Sequence, residues 1–94
     1  MFLNRDDMLV LAAYVVSSTY RKKALQVLGD NEVMTPKGIA GCCNVRTNHI
    51  SNTLSELKEK ELVVCINPEM KKGRLYKLTS LGSEVLDFVP IITG

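Results

Sequence analysis

Apolar residues along the chain fall into periodic blocks divided by glycine, proline and capping residues, and the spacing inside each block predicts its element. The first block predicts a helix from about Arg5 to Val16, with Asn4 as its cap and Asp6 and Asp7 in the first turn, where acids suit the positive end of the helix dipole. Its second half is apolar on every side, a pattern of burial all round. A terminal helix in so short a chain has few elements to cover it, so a partner subunit is the expected cover. Ser17, Ser18 and Thr19 cap a second helix, Tyr20 to Leu28. There Tyr20, Ala24, Leu25, Val27 and Leu28 share a buried stripe, Arg21, Lys22 and Lys23 point outward, and Gly29 ends the helix. A short extended stretch, Glu32 to Met34, leads to Thr35 and Pro36, a hydroxyl cap followed by proline where its missing N–H costs nothing. This opens a third helix to about Cys42. A turn through Cys43 and Asn44 precedes a fourth helix, Thr47 to Lys60, whose Ile50, Leu54 and Leu57 recur at i, i+4 and i+7. Its other side is strongly polar.

After Glu61 the period becomes extended. Leu62 to Ile66 and Arg74 to Leu78 read as two strands joined by a long tip, Asn67-Pro68-Glu69-Met70-Lys71-Lys72-Gly73. Thr79 or Ser80 then caps a last helix, Leu81 to Phe88, stopped by Pro90, with residues Ile91 to Gly94 frayed. The order is four helices, a hairpin and a helix. Two short helices on a tight turn, the second polar on its outer face, form a helix-turn-helix at about 35–60, and the hairpin at about 62–78 is its wing. The expected fold class is α+β, mostly helical: a winged helix-turn-helix with additional N-terminal and C-terminal helices.

Length sets the scale. At 94 residues the chain is expected to form one domain over 1–94 with a modest core and little room for a deep catalytic cleft. Hydrophobic residues at 46% and charged residues at 23% exclude disorder and low complexity. The three cysteines are an odd number and two are adjacent, Cys42 and Cys43, which argues against a disulfide framework and for a reducing cytoplasm. The longest apolar run, Met8 to Val16, is far short of the roughly 20 residues of a membrane span. Arg5 is followed at once by Asp6 and Asp7, unlike a signal peptide, so the N-terminus is assigned to the fold and no membrane partner is expected.

The net charge of +2 says little, but its distribution says more. From Arg46 to Lys77 there are seven bases and four acids, a net +3, whereas residues 78–94 hold only Glu84 and Asp87. Basic charge thus gathers at the fourth helix and the hairpin. With Ile50 facing inward and 100° per residue, Asn48, Asn52 and Ser55 point most directly away, with His49 and Ser51 on the flanks. The major groove admits one helix, which needs an apolar side to hold it and short polar side chains to read base edges. Asn pairs with adenine N6 and N7, so A·T pairs are expected beneath it. Arg46 and Thr47 fall where the helix N-terminus meets the sugar-phosphate backbone. Lys71, Lys72 and Arg74 at the hairpin tip are placed to reach an adjacent minor groove or its phosphates.

The stretch TPKGIAGCCNVRTNHISNTLSELKEKELV, followed by INPEMKKGRLYKLTSLGSEVL, resembles the small archaeal winged helix-turn-helix regulators related to the ArsR and MarR families. The resemblance covers about residues 18–88, and its most specific part is KGRLYKLTSLG. It implies a double-stranded DNA-binding transcription regulator. The apolar segments Met8 to Val16 and Val85 to Ile92, which one subunit could scarcely hide, predict a homodimer through the N-terminal and C-terminal helices, and repression by blocking promoter access is the default expectation. Similarly placed residues contact DNA in those families. ArsR-type metal sensors carry cysteines near this helix, but their usual pair is separated by one residue, whereas Cys42 and Cys43 are adjacent and cannot easily aim both sulfurs at one ion. Cys42 and Cys43, placed in the turn before the fourth helix, and Cys65 in the first strand are therefore read as structural. No metal or cofactor is expected, nor catalysis: the single His lacks an evident orienting carboxylate, and no glycine-rich phosphate loop occurs. Two other readings stand beside the regulator. One is a winged helix used as a protein-interaction module, which would favour apolar anchors on the fourth helix, where none occur. The other is a thiol- or metal-responsive sensor that still binds DNA.

Overall fold

A computed structural model describes residues 4–93. Its elements run α1 (Arg5–Val16), α2 (Thr19–Asp30), α3 (Pro36–Cys43), α4 (Thr47–Glu59), β1 (Val63–Cys65), β2 (Tyr76–Leu78) and α5 (Ser80–Thr93). This is the expected mostly helical α+β winged helix-turn-helix with a helix added at each end. The caps follow the chemistry of the sequence. Asn4 Oδ1 accepts from Asp7 N at 2.8 Å, Ser18 Oγ from Arg21 N at 3.3 Å, and Thr35 Oγ1 from Gly38 N at 3.0 Å, with Pro36 opening α3. Asn44 closes α3 in the left-handed conformation, φ 57°.

α2, α3 and α4 surround a core of Leu25, Leu28, Ile39, Ile50, Leu54 and Leu57, onto which Leu62 and Val63 fold back from the hairpin. β1 and β2 pair antiparallel in the register Val63↔Leu78, Val64↔Lys77, Cys65↔Tyr76. Both strands are shorter than their extended patterns, because beyond the Ile66 N–H donation to the Leu75 carbonyl the chain opens into the tip. Met34 exchanges two backbone hydrogen bonds with Tyr76, at 3.0 and 2.8 Å, so the stretch expected at Glu32 to Met34 pairs with β2 through one residue.

Four expectations are corrected. Gly29 lies inside α2, which continues to Asp30, and the end of the Leu86 side chain of α5 packs where a Cβ would sit. Tyr20 does not join the buried stripe of α2 but is 39% exposed. Cys43, expected in the turn, extends α3 by one residue and lies with Cys42 in its last turn. Pro90 does not stop α5, which runs to Thr93. Its missing N–H and ring cost a helix roughly 3 kcal/mol. Burial of Val85 and Val89 against the core, at about 1.5–3 kcal/mol each, offsets that cost while Pro90 faces solvent. Residues Ile91 to Thr93 are therefore helical, and Gly94 lies outside the described residues.

The N-terminal helix is covered in part from within the chain. α1 packs most extensively against α5, with Ala12 and Val15 fully buried, yet Val10 is 68% and Ile91 60% exposed. At the other end of α5, Thr79 Oγ1 accepts from Gly82 N at 2.9 Å and donates to the Glu61 carbonyl at 2.6 Å. The helix N-terminus is thereby fastened to the turn between α4 and β1. No described helix is long and apolar enough to cross a membrane.

Candidate nucleic-acid interface

α4 divides cleanly into two faces. Ile50, Thr53, Leu54 and Leu57 are buried, while Thr47, Asn48, His49, Ser51, Asn52 and Ser55 are exposed. Thr53 joins the buried side because its hydroxyl donates to the His49 carbonyl at 2.8 Å, which satisfies the polar atom without solvent. Ser55 donates likewise to the Ser51 carbonyl at 3.1 Å. Arg46, also exposed, occupies the N-cap position and makes no side-chain capping bond. α1, α2 and α3 each have a side-chain cap, whereas α4 has none; its His49 N–H donates to the Arg46 carbonyl at 3.1 Å, which leaves the Thr47 and Asn48 amides at its positive end without a side-chain acceptor.

The wing tip is built by Asn67. Its Nδ2 donates to the Gly73 carbonyl at 3.2 Å and its Oδ1 accepts from Leu75 N at 2.7 Å, closing the loop across its neck. Gly73 supplies the positive φ of 68° that the return requires. Arg74 Nε donates to the Met70 carbonyl at 2.7 Å, so the arginine is anchored at one nitrogen and its terminal amino groups stay at the exposed tip beside Lys71 and Lys72. The sequence marks Asn67 only as the first residue of a long tip; the clamp made by its side chain is not legible there.

Two residues of α2 that patterning placed elsewhere bear on α4. The Tyr20 ring lies 5.2 Å from the His49 ring, tilted by 30°, and so steadies an exposed side chain of the polar face. Arg21, expected to point outward with Lys22 and Lys23, is instead largely buried. One terminal nitrogen donates to the Tyr14 carbonyl and to Ser17 Oγ, both at 3.0 Å, and the other reaches Glu56 of α4 at 3.3 Å. Its guanidinium carbon sits 3.9 Å above the Tyr14 ring, while Nε is buried without a partner among the described residues. Arg21 thereby ties the end of α1, the start of α2 and the middle of α4 together. Arg21→Ala is expected to lower unfolding free energy by about 1–3 kcal/mol, since it strips charge-assisted hydrogen bonds from a carbonyl and a carboxylate. Urea denaturation checks this, and an unchanged midpoint would show that the three contacts contribute nothing net.

The cysteines do not converge: Cys42 is exposed while Cys43 and Cys65 are buried, and no group of three or more metal-ligating side chains occurs among the described residues.

No protein-family model matches the sequence, and no curated protein matches it either. Solved structures do. The fold is similar to NadR in complex with 4-hydroxyphenylacetate, with a TM-score of 0.68 and 16% identity over 93% of this chain. Ligand-free NadR gives a TM-score of 0.69 and 14% identity over 94%. The reduced form of MarR from E. coli gives 0.68 and 19% identity over 94% of this chain and 74% of that one. The chain spans 65% of the length of the NadR chains. The architecture is thus a MarR-like winged helix, and at these identities the likeness is one of fold.

Proposed function

We propose that this protein is a sequence-specific, double-stranded DNA-binding transcription regulator of the kind its sequence resembles. It is not an enzyme, and it acts in the cytoplasm as a homodimeric repressor through its N-terminal and C-terminal helices. The observation that carries the reading is the polar outer face of α4, opposite a buried, mainly apolar one, on a helix whose N-terminus has no side-chain cap. Asn48, Asn52, Ser51 and Ser55 meet base edges, with His49 on the flank beside Tyr20. Arg46, Thr47 and the open amides of α4 take backbone phosphates. Lys71, Lys72 and Arg74 extend the contact from the wing. Exposed Val10 and Ile91 are apolar surface that a second copy would bury, and two reading helices in successive major grooves set half-sites about 34 Å apart.

Asn48→Ala and Asn52→Ala are each expected to weaken binding to a site selected from random duplexes by about 1–3 kcal/mol and to relax preference at one base pair. Repeating the selection with each variant is the test; an unchanged base preference would remove that asparagine from the reading face. A mass in solution equal to one chain at tens of micromolar would refute the dimer.

One feature favours a protein-interaction module instead. Val64 on the outward side of β1 and Ile66 just beyond its end are exposed, at 36% and 47%, with Met70 at 47% near the tip. Polar substitutions at Val64 and Ile66 leave DNA affinity unchanged in the DNA reading, because charge and the tip carry the wing contact.

A further inference from the structure

One flank of α4 is fastened to the corner between α1 and α2. Counted from His49, Glu56 and the C-cap residue Lys60 stand at i+7 and i+11, within about 20° of it around a helix of 100° per residue. Each of the three meets one residue of the corner. Lys60 Nζ lies 5.4 Å from the centre of the Tyr14 ring of α1, the Glu56 carboxylate 3.3 Å from the Arg21 guanidinium of α2, and the His49 ring 5.2 Å from the Tyr20 ring of α2. The last contact differs in place and in exposure. It falls in the first turn of α4, the part of a recognition helix that meets base edges. Both of its partners are exposed. A ring-against-ring contact also occupies the flat side of the imidazole and leaves its two nitrogens, which lie at the edge of the ring, open to a partner.

We infer that Tyr20 is a specificity-determining positioning residue, and that through it His49 presents a ring N–H to a guanine at the edge of the α4 footprint. This rests on the DNA reading and deepens it. An imidazole carries at least one N–H in either protonation state, and guanine offers two adjacent acceptors, N7 and O6, in the major groove. Adenine sets an N6 donor beside its N7, thymine a methyl group beside its single acceptor, and cytosine shows a donor. Guanine is therefore the base whose groove edge meets a lone donor with acceptors only. An unsupported imidazole on that flank would turn about both of its side-chain torsions and would have to be ordered on binding. Packing against Tyr20 makes that ordering part of folding. The ties at Glu56 and Lys60 hold the same flank against the corner further along, so α4 cannot roll the His49 ring away from Tyr20. The reading group thus sits on α4, while its aim is set from α2, outside the helix-turn-helix.

The test uses the full chain and a duplex selected from random sequence, with each base pair of the site changed in turn and binding read by fluorescence anisotropy. His49→Ala and Tyr20→Leu are each expected to lower discrimination at one and the same G·C pair by about fivefold or more, with the salt slope unmoved because no phosphate contact is lost. The double variant loses no more than either single one, since the two residues act as a unit. Tyr20→Phe keeps the discrimination. His49 is the only histidine of the chain, so its ring protons give an unambiguous NMR signal in the free protein, and that signal is expected to move in Tyr20→Leu. Discrimination that survives Tyr20→Leu, losses at different base pairs, or losses that multiply in the double variant overturn the positioning role. A loss in Tyr20→Phe as large as in Tyr20→Leu overturns it too, because the hydroxyl and not the ring would then be the operative group. A shared pair other than G·C overturns the choice of guanine. A chain that binds no duplex overturns the DNA reading itself, and an unmoved His49 signal overturns the ring contact whether or not DNA is bound.

Discussion

Alanine at Gly82 is expected to cost the fold about 3 kcal/mol and to lower Tm by at least roughly 10 °C, measured by thermal and urea denaturation. Gly82 is buried in the first turn of α5, and a Cβ there would lie inside the Leu62 carbonyl, against backbone that cannot swing aside. Relief requires lifting the start of α5. That breaks the Thr79 hydroxyl bridge to the Glu61 carbonyl and the Thr79 N–H donation to the Leu62 carbonyl at 3.1 Å. In a chain whose whole stability is about 5–15 kcal/mol, such a loss is a large share. Gly29→Ala is the control. Its Cβ meets the end of the Leu86 side chain, which can change rotamer, so a cost of only about 1 kcal/mol is expected. Equal effects at the two positions would show that the approach of α5 to Leu62 is not what requires the glycine.

Removing the three tip charges, with Lys71→Gln, Lys72→Gln and Arg74→Gln together, is expected to weaken DNA binding by about 10²-fold or more near 0.1 M salt. The log–log salt slope falls by about 2–3, because each phosphate contact contributes roughly 0.9. Thermal stability changes little, since all three side chains are exposed and the loop is closed by Asn67. Arg74→Lys separates charge from anchoring: it keeps the positive charge but loses the Nε donation to the Met70 carbonyl. A slope that does not move in the triple variant would place the wing tip off the phosphates.

The helix-turn-helix and its polar face were legible because the recurrence of Ile50, Leu54 and Leu57 fixes which way α4 faces, and one inward direction settles the opposite side. Thr35-Pro36 was legible for an equally local reason. The missed features depend on tertiary neighbours. Arg21 stands in a run of three bases that reads as a solvated face; only the arrival of Tyr14 from α1 and Glu56 from α4 makes it an interior staple. Gly29 looked like a terminator because nothing local reveals that α5 crosses there. Pro90 looked like a stop because its local cost is visible in the sequence, whereas the burial that offsets it is not. Tyr20 has the spacing of a core residue but lies at the surface, its ring beside that of His49 on α4, a neighbour that the sequence does not reveal.

The central claim is that the exposed face of α4 and the wing tip read duplex DNA. Fluorescence anisotropy tests it most directly, with the chain titrated against a random-sequence duplex and against duplexes selected from its own genome, across a salt series. The account predicts salt-steep binding to both, with an enriched palindromic site bound at least ~10³-fold tighter than the random duplex. No binding at low salt, or binding indifferent to both salt and sequence, would contradict it.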